Sequence, residues 1–468
     1  MRKFFTAFFS IILLLITFAL ITPFFVGRYV DRLLPTYYNA MTRFATVKIT
    51  KTQRHWFSED VTLEVAPLIC PGQTFELQQH IIFGPFIFAP FNAGSGPHFA
   101  LALLDSTAVN APFTLVSQAL IKINRSLSGF DHITNLNYQD ATRSWLVPSI
   151  TIHFSYDLSH SVAQAELSIP SLTVNMKEAA NHLDLTANMV NLTSTAHLKI
   201  SQGLWYGDEG LRVDAINLKN DKEALSVNAL TVNDSLVKLG NTANLTVLLT
   251  AKSLVSDAVL YQPVAFNVQL RDMDVTTLEN YVKSLAALSV QYDEAQFDKL
   301  NQQLYLALLQ HGLTAEINQA QLGTPHGVLS MDLSFTTPAQ NYADIMTALN
   351  QSNNKITITI PKPMAQYLLE KYFAQSQFAA ALSQPTLGGA QTADLLLQQF
   401  VNLKFFKLSA DSQFYSADIS MKNGRIYVNN QSLQDTLDLL APASSSKRAP
   451  SKSKLAITTQ EMVEHYDS

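Results

Sequence analysis

A lone cysteine, Cys70, among 468 residues leaves this chain no intramolecular disulfide. Even outside the cytoplasm it must hold its fold by burial alone, which its length permits. Glycine and proline are scarce, at 16 and 18 residues, so most turns fall to Asn, Asp, Ser and Lys. Charged residues make up only 15% and the formal net charge of -5 is spread along the chain. No basic face of the kind that neutralises phosphates stands out, and nucleic acid is not an expected partner.

Chemical motifs are equally short. The eleven histidines form neither H-x-x-x-H nor H-E-x-x-H, so no metal is expected. No P-loop or dinucleotide fingerprint occurs, and no cofactor is expected. Ser95, in "NAGSGPHF", lacks the spacing and the strand-turn-helix context of a nucleophile elbow and reads as a loop residue. Cys70, in "APLICPG", lies far beyond the apolar leader where a lipid-attachment cysteine would sit, and reads as a small buried residue. Asp272, Asp274 and Glu279 in "RDMDVTTLEN" offer hard oxygens but lack the central glycine and the roughly twelve-residue frame of a calcium loop. They read instead as a strand's exposed face and the acidic start of a helix. No catalytic residue is expected, and the chain reads as non-enzymatic.

What is abundant is apolar surface, 47% of residues. Residues 4–26, "FFTAFFSIILLLITFALITPFFV", run 23 positions without a charge behind Arg2 and Lys3. At about 1.5 Å per residue this run can cross a hydrocarbon core of roughly 30 Å. Pro23, Phe24 and Phe25 occupy the exit where a signal peptidase would want small residues, so an uncleaved signal-anchor is expected. Residues 1–3 are then cytoplasmic, and the rest of the chain lies on the far side of the membrane. In a bacterium that places the bulk in the periplasm, held to the inner membrane by residues 4–26.

From 28 to 275 the chain is dominated by period-two alternation, the mark of half-buried strands. In "SITIHFSYDL" residues Ile150, Ile152, Phe154, Tyr156 and Leu158 face one way. An eight-residue pattern recurs as "LSIPSLTV" at 167, "LTANMVNL" at 185, "LRVDAINL" at 211, "LSVNALTV" at 225 and "VQLRDMDV" at 268. Its alternation flips phase at the fifth position, which predicts one inserted residue, a bulge, at similar places in neighbouring strands. Such bends would curl a sheet into a trough. Residues 276–440 continue the exported domain with helices mixed in. One long helix is expected over 276–310, capped by Thr276 or Thr277 and closed by Gly312, its stripe of Leu278, Tyr281, Val282, Leu285, Leu288 and Tyr292 packing on the sheet. The tail, 441–468, is disordered by composition. The fold class is thus α+β, mainly β: a transmembrane helix, then a large curved antiparallel sheet with several packing helices.

Two dipeptides punctuate the strands. Gly84-Pro85 in "QQHIIFGPFIF" welds two apolar half-strands and belongs at an edge, bulge or corner, because proline cannot donate to a ladder. Ile82, Phe86 and Phe88 are the expected core anchors around it. Asn423-Gly424 in "MKNGRIYVNN" is a two-residue hairpin signal, since both residues tolerate positive φ.

The anchor, "HIIFGPF", "LGTPHGVLSMDL" and "MKNGRIYVNN", in that order over roughly residues 1–435, resemble the YdgA-like family of bacterial inner-membrane-anchored envelope proteins, a domain of unknown function. That family commonly carries a histidine before the Gly-Pro, where this chain has Phe83. The resemblance implies an address and a domain type, and no catalytic residue. The repeated bends also resemble the AsmA-like envelope proteins associated with lipid handling. Expected partners are the membrane and a lipid held in an apolar trough. A self-associating scaffold that forms a homo-oligomer, or a hydrolase with a site dispersed in sequence, are the alternatives.

Overall fold

The computed structural model describes residues 22–35, 38, 45–67, 74–91, 97–139, 142–178, 183–201, 204–220, 224–256, 259–288, 294–375, 389–422 and 425–434. Helix α1 occupies residues 22–35. The strands before the first long helical region are β1 (Ala45–Arg54), β2 (Ser58–Pro67), β3 (Phe75–Phe83), β4 (Phe86–Ile87), β5 (His98–Phe99), β6 (Ala102–Val109), β7 (Thr114–Ile121) and β8 (Ser126–Gln139). They continue as β9 (Arg143–Asp157), β10 (Val162–Glu178), β11 (Leu183–Ser201), β12 (Leu204–Lys219), β13 (Ala224–Leu239), β14 (Thr242–Ser256), β15 (Val259–Tyr261) and β16 (Val264–Asp274). Helices α2 (Val275–Leu288) and α3 (Glu294–Gln310) follow, then β17 (Thr314–Thr324), β18 (Gly327–Thr336), α4 (Ile345–Gln351), β19 (Asn353–Pro361), α5 (Lys362–Gln375) and α6 (Gly389–Asn402). Strands β20 (Lys407–Leu408), β21 (Phe414–Lys422), β22 (Arg425–Val428) and β23 (Gln431–Ser432) close the described chain.

Among the described residues, 21 strands form one sheet, and β4 pairs β5 in a separate ribbon. Pairing is antiparallel and almost wholly sequential, β1 to β3, on through β6 to β14, then β16 to β19, β21, β22 and β23. The mainly β, antiparallel reading holds. A meander is what short polar turns between alternating segments produce, since each strand pairs with its chain neighbour.

Helices cover this sheet only in places. Under α1, Val30 and Leu34 pack on Val61, Leu63, Ile81, Phe83, Leu104 and Ile121. Residues 4–21 of the expected membrane span lie outside the described residues, and among those described no helix is long and apolar enough to cross a membrane. Val26, at the end of the expected span, lies in α1 and packs against this core.

The single helix expected over 276–310 is two helices, α2 and α3. The cap is neither threonine: Asp274 accepts from the Thr277 amide at 2.7 Å, so the helix begins at Val275. Leu278 and Val282 pack with Leu304 and Leu308 of α3 over Leu236, Leu245 and Leu270 of the sheet. Gly312, with φ of +93°, ends α3 as expected of a residue free to adopt the left-handed region. Helix α4, whose cap Asp344 accepts from Thr347, has no counterpart in the sequence reading.

Candidate apolar trough

Directly opposed residues in antiparallel strands share a face, so register alone assembles side chains into transverse rows. One row runs Ile169, Leu192, Val213, Leu230, Ala251, Val264 and Leu322 across β10 to β17. A second runs Leu172, Met189, Ile216, Val227 and Leu254. Outside them lie Leu211, Val232, Leu249 and Phe266 on one flank, and Ala187, Leu218 and Leu225 on the other.

Between the two central rows the ladder pairing lapses in strand after strand at one level. The interrupted positions are Asn135 opposite Pro148, Pro170 opposite Asn191, Asn191 opposite Asp214, Asp214 opposite Ala229, and Ala229 opposite Lys252. The causes are local. Pro148 and Pro170 have no amide to donate. Asn135, Asn191 and Ala229 hold φ of 58°, 50° and 48°, outside strand geometry. Met189 and Leu192 are half-buried while Val190 and Asn191 between them are both exposed, so alternation breaks here and the two rows turn to the same side.

The flipped phase in the repeats therefore marks a crease crossing the sheet. Its mechanism differs from the expected inserted residue. Register is unchanged across the crease in β10 to β14, so neighbouring strands bend together and none gains a residue. Only at the fifth repeat, where Asp272 has φ of 62°, does the register shift as a bulge requires.

Helix α1 reaches this face as far as Leu127, Phe154 and Tyr156, and α2 and α3 cover its other end at Leu236, Leu245 and Leu270. Among the described residues, the buried clusters beneath those helices include none of the two central rows. Val213 at 1% and Ala251 at 6% exposure are shielded by their neighbours, whereas Tyr138 at 37%, Met176 at 40% and Phe266 at 37% stand open around them. Tyr138 stacks on Trp145, with ring centroids 5.7 Å apart.

At the α1 end a polar row interrupts this face. Gln79, Ser106, Ser117, Asp131 and Ile152 stand opposite one another in successive strands. Tyr38 donates to Gln79 Oε1 at 2.5 Å, and Gln79 Nε2 donates to Ser106 Oγ at 3.0 Å. Burial, with Glu59 adding to it, pushes the Tyr38 hydroxyl well above its ordinary value, keeping it a neutral donor. Burial also raises the Asp131 carboxyl, against a hydrogen bond from Ser117 that lowers it. Asp131 is thus the one acid standing in this row, beside the apolar ladder at Ile152.

The motifs singled out in the sequence fall elsewhere. Gly84-Pro85 turns the chain from β3 into the β4–β5 ribbon through a cis peptide bond. The Gly84 amide donates to the Leu101 carbonyl at 2.7 Å, and a Cβ on Gly84 would lie 1.7 Å from the Ala100 carbonyl oxygen. Phe86 and Phe88, expected as core anchors, are 58% and 80% exposed, while Ile82 is half-buried. Ile81 and Phe83 are buried against α1, whereas beyond the corner Ile87 is buried on the opposite face of the sheet with Leu103 and Leu120, where Ile82 also packs. Asn423 and Gly424 lie outside the described residues, flanked by the pair Lys422 and Arg425. Cys70 and Ser95 also lie outside them.

Of the three acids considered for calcium, Asp274 and Glu279 have side-chain partners apart from one another. Asp274 caps α2, the Asp272 amide donates to Asn244 Oδ1, and Glu279 sits 3.8 Å from Lys238. Among the described residues no group of His, Cys, Asp or Glu is arranged to hold a metal. Two surface hollows lie among polar side chains. One of about 300 Å³ is lined by His197, Asp208, Glu209 and Asp234, and one of about 390 Å³ by Lys51, Asp60, Gln78 and His80.

What the sequence reading missed was the polar row, because Gln79, Ser106, Ser117 and Asp131 come from four strands and only register brings them together. No curated protein and no solved structure shows significant similarity to this chain. A family profile matches residues 1–435, and on that match the chain belongs to DUF945, a family of bacterial proteins of unknown function.

Proposed function

We propose that this protein is a non-enzymatic component of the bacterial envelope, held in the inner membrane by residues 4–26, whose creased sheet face receives the acyl chain of a lipid in the periplasm. The observation that carries the reading is the pair of apolar rows along the crease, five strands wide, with helices covering only the two ends of the face. A face of this extent in water is costly at about 25 cal/mol per Å² and calls for an apolar occupant. The charge-free N-terminal run, with the resemblance to YdgA-like envelope proteins, supports the address. The bent, sequentially paired strands agree with the likeness to AsmA-like proteins at the level of architecture.

A hydrolase reading needs a base beside a nucleophile. The polar row next to the apolar ladder offers Ser106, Ser117 and Asp131 but no histidine. The test is to extract the full-length protein in mild detergent, exchange it, and analyse bound lipid by mass spectrometry. Co-purifying phospholipid at a fixed ratio is the expected result. Lipid-free protein in several preparations would sink the trough reading, and a stable dimer by light scattering would favour the scaffold in its place.

A further inference from the structure

Large aromatic side chains stand in the open at one end of the domain. Trp56 and Phe57, at 55% and 46% exposure, form the tip of the β1–β2 hairpin, and Phe86, Phe88 and Phe99, at 58%, 80% and 64%, project from the β4–β5 ribbon. These are one neighbourhood. The Phe83 amide donates to the Phe57 carbonyl at 2.8 Å, and Phe83 immediately precedes the corner from which the ribbon departs. Phe86 and Phe99 lie against each other with centroids 5.3 Å apart. The first turn of α1 joins them, since Phe24 stacks on Trp56 at 5.7 Å and Phe25 beside it is 61% exposed.

Cations accompany the rings. Arg28 lies over Phe24 at 4.6 Å. The β7–β8 turn, exposed from Lys122 to Arg125, reaches the same helix through Arg125 over Tyr29 at 5.6 Å and carries Ile123 at 47% exposure.

Soluble surfaces scatter single apolar residues and seldom gather this many aromatics. Rings with an apolar body, mixed with Arg and Lys, are the composition of a surface resting at the headgroup level of a bilayer. The chain also says which surface it meets, because α1 continues directly from the charge-free run of residues 4–26 and so leaves a bilayer at this end.

We propose that the β1–β2 tip and the β4–β5 ribbon form a second membrane contact, with Trp56, Phe57, Phe86, Phe88 and Phe99 seated at the headgroup boundary of the bilayer that holds the N-terminus. This rests on the anchored reading and adds to it: the domain is docked on the membrane in a fixed orientation and does not swing on a tether.

The test uses the full chain with Trp145→Phe and Trp205→Phe, so that Trp56 is the sole tryptophan, in vesicles of phosphatidylethanolamine and phosphatidylglycerol. Flotation establishes anchoring independently of the contact. In floated protein, lipids brominated near the carbonyl end of the acyl chain should quench Trp56, and aqueous iodide should have little effect. The variant carrying Phe57→Ser, Phe86→Ser and Phe88→Ser as well should float equally but lose most of the bromolipid quenching and gain iodide quenching. Floated protein whose Trp56 responds to iodide and not to bromolipid, or to neither, overturns the contact while leaving the anchor intact. Failure to float overturns both.

Discussion

At the residue scale, Gly84 illustrates how one position decides a corner. The space a side chain would need is filled by the Ala100 carbonyl, 1.7 Å from where a Cβ would stand, and backbone on both sides is held by ladder bonds. Gly84→Val should cost about 3 kcal/mol in urea unfolding and lower the amount of folded protein recovered, because neither strand can move aside alone. A variant of unchanged stability would show that the corner is not a tight approach. Asp131 carries a second expectation. Its folded-state carboxyl titrates above the ordinary range because of burial, so ionising it opposes folding. The penalty is absent well below the unfolded pKa of about 4, sets in as pH rises past it, and is complete only above the raised folded-state value. Asp131→Asn should therefore raise the midpoint of thermal unfolding at pH 7, with the gain vanishing towards pH 3. An equal shift at both pH values would mean that the carboxyl is not desolvated.

At the element scale, the join between β16 and α2 carries several roles in a few residues. Asp272 leaves strand geometry at φ of 62°, Met273 and Val275 are buried, and Asp274 caps the helix that covers the sheet's lower end. Replacing Asp274 by alanine removes the acceptor for Thr277 and should destabilise the protein by about 1 kcal/mol in urea titration. Substituting Thr276 should do nothing comparable. The sequence signal for this cap was ambiguous because two threonines and an acid stand within four residues. Tertiary packing of Val275 into the core selects the start. The same cause divides the expected long helix: α3 has to lie back across α2, its Leu304 and Leu308 reaching the same cluster as Leu278 and Val282.

At the scale of the whole molecule, the meander brings residues from seven strands, 135 to 252, to one crease. No strand there inserts a residue, so the bend is shared and the rows on either side stay aligned. Charging that face is the direct test of its role. Leu192→Glu combined with Leu230→Glu places two carboxylates where the proposed acyl chain would lie, and lipid recovered per protein should fall severalfold while circular dichroism stays strand-rich. Unchanged lipid in folded protein would remove this face from consideration. The exposed Val190 is the matched control, since Val190→Glu sits next to the crease but on the side turned away.

The sequence by itself determined the strand-rich class, the strand positions through period-two alternation, the crease through its repeated change of phase, and the charge-free run at the N-terminus. Each of these is local: a strand's two faces and a proline's missing amide are properties of a few consecutive residues. Tertiary structure alone decided that the chain changes face at Gly84-Pro85, that Asn191 and Ala229 take left-handed geometry with no inserted residue, and that Gln79, Ser106, Ser117 and Asp131 form one row with Tyr38 bonded to it. The physical reason is register. A pattern fixes which residues alternate, but only the pairing of one strand with the next sets which face is buried and which distant side chains meet on it.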